Sequence, residues 1–112
     1  MFENKYLYKP VSYIDPIYPI RAQERGTMGY ALVEYTITDT GNVENAKAIE
    51  GYCSKSDPND PNTYLRSCTM FNSASVRAAL NFKFKPVIFN GQAIPVHGVR
   101  YRFSYALYDS DS

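Results

Sequence analysis

The sequence predicts an α+β fold: a small antiparallel β-sheet of three to four strands with two helices packed on one face. Three stretches lead to it. Gly29 to Thr38 alternates, with Ala31, Val33, Tyr35 and Ile37 on one side and Tyr30, Leu32, Glu34, Thr36 and Thr38 on the other. His97 to Tyr108 alternates again, with His97, Val99, Tyr101, Phe103, Tyr105 and Leu107 opposed to Gly98, Arg100, Arg102, Ser104 and Ala106. A period of two is the mark of a half-buried strand. Between them, Phe71, Ala74, Ala78 and Phe82 recur at steps of three and four, which places one apolar stripe along a helix.

In chain order, residues 1–13 read as a linker or edge strand, because Pro10 opposes a helix and the tyrosines and Val11 show no helical period. The domain proper is expected over 14–108. Pro16 and Pro19 punctuate the start, and Pro19 suits the first turn of a helix running to Glu24, with Gly26 ending it and Arg25 favouring the dipole there. The first alternating strand follows. Asp39-Thr40-Gly41-Asn42 makes a turn, with Gly41 able to take positive φ, and Val43 opens the return strand of a hairpin. Val43, Ala46 and Ala48 are out of period by one residue, which predicts a bulge near Asn45.

The stretch 51–70 has two X-Pro steps and no periodicity, so it is expected to be an irregular loop bracketed by Cys53 and Cys68. Two cysteines allow one intramolecular bridge. Closing about 15 residues would stabilise the domain by roughly 3 kcal/mol in an oxidising compartment; two free thiols are the other state. After the loop, Ala74, Ala78 and Ala79 let the helix lie close to its partner, and Pro86 turns Lys85 out of helical angles. Asn90-Gly91 marks a further hairpin turn. Residues 109–112 form a polar tail.

Composition narrows the function classes. The 112 residues carry 12 basic and 11 acidic side chains, a formal charge of +1, so neither nucleic acid nor an anionic membrane is a general partner. Eleven Tyr and six Phe, with no Trp, provide large rings for the core or an interface. No apolar run approaches the roughly 20 residues that span a bilayer, and the first residues hold no signal-peptide stretch. Catalysis is not expected: no nucleophile elbow, zinc-protease helix or phosphate loop is present, and Asp57 and Asp60 lie in a Pro-rich segment without an acid–base partner. No metal is expected either, since His97 is alone and the cysteines lack zinc spacing. No cofactor motif is found.

Taken together, Pro16-Ile17-Tyr18-Pro19-Ile20-Arg21-Ala22, Gly26 and Gly29 before a strand, Gly41-Asn42-Val43, Phe71 with Ala74 and Ala78, the exit Phe82-Lys83-Phe84-Lys85-Pro86, and Gly91 with Pro95-Val96 carry a resemblance. From about Ile14 to Leu107 the chain resembles the C-terminal domain of TonB family energy-transducer proteins. Phe82 stands where that family usually has Trp, and the cysteine-bracketed loop is longer than in familiar members. The resemblance implies a periplasmic domain whose full-length protein is anchored in the inner membrane by an N-terminal helix and a proline-rich spacer that are absent from this sequence. It further implies that the anchor works with ExbB and ExbD, and that the domain binds the TonB box of outer-membrane receptors by strand addition, in uptake of siderophore-bound iron and vitamin B12.

That docking site, carried over, falls on the last strand: Val99, Arg100, Tyr101, Arg102, Phe103, Ser104, Tyr105 and Ala106. Arg100 and Arg102 are candidates to meet acidic groups of a partner, while Tyr101, Phe103 and Tyr105 are expected to pack in the core. Tyr18, Pro19, Gly41, Phe82 and Pro86 are expected to serve structure. A homodimer through strand exchange remains open. The competing reading is a TonB-like domain used as an envelope sensor, scaffold or adaptor; a small secreted binder displaying tyrosines is a third.

Overall fold

The computed structural model describes residues 8–108. Residues 1–7 of the lead-in and the tail 109–112 lie outside that range. The elements run α1 (Ile20–Arg25), β1 (Met28–Ile37), β2 (Val43–Ser54), β3 (Arg66–Ser67), α2 (Asn72–Leu80), β4 (Val87–Phe89), β5 (Gln92–Ile94) and β6 (Val96–Tyr105). Four strands form an antiparallel sheet in the order β3-β2-β1-β6, and β4 with β5 makes a separate hairpin. Two helices and an antiparallel sheet are the α+β fold that the periodicities predict.

The alternating face of β1 lands where its pattern demands. Ala31, Val33, Tyr35 and Ile37 are all buried. Over them lies α2, whose buried residues are Ala74, Ser75, Ala78 and Ala79. Small side chains on that stripe permit close approach to β1 and β2, and bulky rings close both ends: Phe71 and Phe82 are fully buried. Ser75 is the polar exception. Its hydroxyl donates to the Phe71 carbonyl at 2.7 Å and lies 2.7 Å from the Tyr105 hydroxyl, so both buried oxygens are satisfied.

Helix α1 starts after Pro19 and ends at Gly26, whose φ of 66° gives a left-handed cap. Its buried Ala22 joins the same core as α2. The β1–β2 turn packs against the exit from α2: Gly41 is buried at φ 85°, and its carbonyl accepts from the Phe84 amide at 2.8 Å. A Cβ at residue 41 would overlap the Phe84 carbonyl. Pro86 closes this exit beside the same turn.

The structure departs from the sequence pattern in three places. First, β2 continues to Ser54, so residues 51–54 are strand and Cys53 is a buried strand residue. Two bulges hide this strand: Ile49 is extra between the Leu32/Glu50 and Val33/Ala48 pairs, and Tyr35 faces two residues around Asn45, which takes φ 56°. The irregularity near Asn45 is the one that Val43, Ala46 and Ala48 predict. Secondly, the short β3 pairs with the end of β2, so the irregular stretch narrows to 55–65, closed by the Cys53–Cys68 disulfide that the sequence allows. Thirdly, His97 is exposed and Val96 takes the buried position instead. Gly98, at φ 71°, adds a residue to β6 opposite Thr36 and reverses the alternation below Val99. The ring Nδ1 of His97 lies 3.1 Å from the Thr36 hydroxyl.

Candidate functional site

Strand β6 hydrogen-bonds to β1 on one side only, and among the described residues no strand pairs with its other flank. At about 3.4 Å per residue, its ten residues present an edge of roughly 34 Å. In an antiparallel edge strand, alternate residues turn their N–H and C=O groups away from the neighbour, where another chain can take them.

The two faces of β6 differ. Val99, Phe103 and Tyr105 are buried toward the helices, and Tyr101 is half-buried on the same side. Tyr101 packs on Phe82 at 5.1 Å and on Phe103 at 4.8 Å between ring centres. Arg100, Arg102 and Ser104 point to the outer face. Arg100 donates to Glu34 at 3.1 Å. The guanidinium of Arg102 sits 3.8 Å above the Tyr30 ring, which itself stacks on Tyr52 at 5.3 Å. The hydroxyl of Tyr30 donates to Glu50 at 3.1 Å; burial, then Glu50, pushes its pKa up, with Arg102 opposing.

The disulfide-closed loop reaches back to this strand. Arg102 Nη2 donates to the Pro58 carbonyl at 3.3 Å, and the Ser104 hydroxyl donates to Asn59 at 3.4 Å. Pro58 is itself buried. Both arginines singled out as partner contacts are therefore already held in place by their own chain.

On the other side of the edge runs the lead-in. The Val11 and Ser12 amides donate to the Lys83 carbonyl, and the Lys83 amide donates back to Ser12, forming a single antiparallel bridge. This pins Tyr13, whose ring lies 5.2 Å from Phe82 and 5.8 Å from Tyr101. Burial raises the Tyr13 pKa, helped by the Tyr101 hydroxyl and Asp15. Its described residues, 8–13, border the β6 edge without pairing to it. Between them opens a groove of about 610 Å³, walled by Tyr8, Tyr13, Leu32 and Tyr101 and flanked by Lys9, Arg100 and Arg102.

Tyr18 and Pro19 stand at the entry to α1. Tyr18 donates to the Thr27 carbonyl at 2.5 Å and meets Phe71 and Tyr105 edge to face at 5.7 and 5.5 Å. Burial, then Tyr105, pushes its pKa up to about 12. Tyr18 and Pro19 thus lock the entry to α1 onto the core. Val99 to Tyr105 share one strand, and Ala106 lies just past its end. No cluster of three or more His, Cys, Asp or Glu side chains suited to a metal occurs among the described residues. The sequence reading missed Tyr8 and Tyr13 as walls of the site and Pro58 and Asn59 as its brace; the tyrosine-rich lead-in was the available signal.

No family model matches the chain, and no curated protein sequence is significantly similar to it. Solved structures are. The solution structure of the Pseudomonas aeruginosa TonB C-terminal domain superposes with a TM-score of 0.64 at 24% identity, covering 91% of this chain and 88% of that one. The chain has the fold of a TonB C-terminal domain. The TonB2 protein of Vibrio anguillarum gives a TM-score of 0.57 at 23% identity, covering 89% of this chain and 81% of that one. In this TonB-like chain the flank of β6 away from β1 is an edge whose backbone groups no strand among the described residues takes up, as is most of the flank of β2 away from β1.

Proposed function

We propose that this TonB-like domain binds the TonB-box segment of outer-membrane receptors by adding it as a strand along Val99–Ala106. The carrying observation is the unpaired flank of β6. In this reading the domain is periplasmic and non-enzymatic. A preceding membrane helix and spacer, driven by ExbB and ExbD, supply the pull that opens receptors for siderophore-bound iron or vitamin B12. At about 1 kcal/mol net per backbone bond, a few bonds and side-chain contacts reach roughly micromolar affinity. That strength suits a contact made and released repeatedly.

The test is a titration of the labelled domain with TonB-box peptides, followed through its backbone amides. Shifts are expected along Val99–Ala106 and in the adjoining β1. Shifts confined to other surfaces, or none at millimolar peptide, would reject the assignment.

A further inference from the structure

The groove beside β6 carries information that backbone pairing alone does not use. A strand added to this edge shares the pleat of β6, so its residue beside Tyr101 points toward the helix side and its two neighbours point to the outer side. On the helix side that residue meets the Tyr13 and Tyr101 rings. On the outer side its neighbours come beside Arg100 and Arg102, with Leu32 behind them.

The charged residues that line the groove are all of one sign, with Asp15 beside the Tyr13 hydroxyl outside the lining. None of its lining residues is acidic, and Lys9, Arg100 and Arg102 all border it. Among the described residues, Arg100 has a carboxylate partner, Glu34, and Lys9 and Arg102 have none. Arg102 is held by a ring face and a carbonyl, which orient the guanidinium but do not neutralise it. The fixed positive charge is therefore available to an incoming anion without the entropy loss of ordering a free arginine. A volume of about 610 Å³ lies in the usual range of ligand sites and exceeds the needs of one side chain.

We propose that this groove selects the docked segment by a three-residue pattern: one bulky apolar residue seated against Tyr13 and Tyr101, with a carboxylate on the residue before it and on the residue after it. The inference rests on strand addition at β6 and names the chemistry of the partner: an extended acidic segment of another protein, with one large apolar side chain at its centre.

Three short peptides of equal length and common flanks test this, with central triplets Glu-Leu-Glu, Lys-Leu-Lys and Glu-Ser-Glu. Kd is measured by calorimetry, and the β6 amides are followed in parallel. The first peptide is expected to bind best, with either change weakening it roughly tenfold or more. The exposed Lys9→Glu variant should weaken Glu-Leu-Glu and strengthen Lys-Leu-Lys, each by roughly threefold. Equal Kd values for the three peptides with β6 shifts intact would overturn the groove and leave strand addition standing, as would a charge preference unmoved by Lys9→Glu. No β6 shift with any peptide would remove both readings.

Discussion

Replacing Phe82 by alanine probes the joint that holds helix, sheet and lead-in together. The Phe82 ring is fully buried and touches five other rings: Tyr101 at 5.1 Å, Tyr13 at 5.2 Å, Phe103 at 5.6 Å, Phe84 at 6.3 Å and Tyr35 at 6.4 Å. Truncating a buried Phe costs about 3–5 kcal/mol, from lost transfer energy plus the cavity left behind. Each aromatic pair adds about 0.5–1.5 kcal/mol, although the five are not additive because the survivors can lean into the hole. Phe82→Ala therefore belongs near the top of the range, at about 4–5 kcal/mol. For a domain whose total stability is about 5–15 kcal/mol, that is a large share. With a urea m-value of about 1.5 kcal/mol/M, the unfolding midpoint should fall by roughly 3 M. Phe89→Ala is the control, since Phe89 is 61% exposed and should cost no more than about 0.5 kcal/mol. A loss below about 2 kcal/mol for Phe82→Ala, or equal losses for the two variants, would refute the packing described.

Reducing the Cys53–Cys68 bridge, or replacing both cysteines by serine, should lower stability by about 3 kcal/mol for a closed span of 15 residues; urea midpoints with and without reductant measure it. Alkaline pH should also destabilise the domain. Burial raises the hydroxyl pKa of Tyr18 to about 12 and raises those of Tyr35 and Tyr105. An unfolded phenol ionises near pH 10, so this stabilisation is complete below about pH 10 and is lost as pH climbs from there through the folded values. Thermal midpoints between about pH 8 and 11.5 should hold level and then drop, and a level profile throughout would contradict the burial of these hydroxyls.

What was legible in the sequence was whatever obeyed a local period or a local turn rule. The clean alternation in β1 predicts its buried face, the small-residue stripe predicts α2, and the offset of Val43, Ala46 and Ala48 predicts the distortion at Asn45. The end of β2 was hidden because two bulges scramble its alternation, and its pairing is dictated by β1 across the sheet. His97 was misplaced because a single inserted glycine, Gly98, reverses every position before it. The candidate edge came from the resemblance, which carries the docking site over to the last strand. Its surroundings did not: Tyr13 reaches Tyr101 through one bridge at Lys83, and Pro58 and Asn59 reach Arg102 and Ser104 across more than forty residues. Such long-range contacts leave no mark in neighbouring residues.

The covalent tie between Cys53 and Cys68 also bears on how the chain would respond to tension. Stretched from its two ends, an oxidised molecule cannot lengthen through the 15 residue steps from Cys53 to Cys68, which withholds roughly 50 Å of contour length. Pro58 and Asn59 sit inside that span, so the brace behind the outermost ribbon would stay tethered as a closed ring while the rest of the molecule begins to yield.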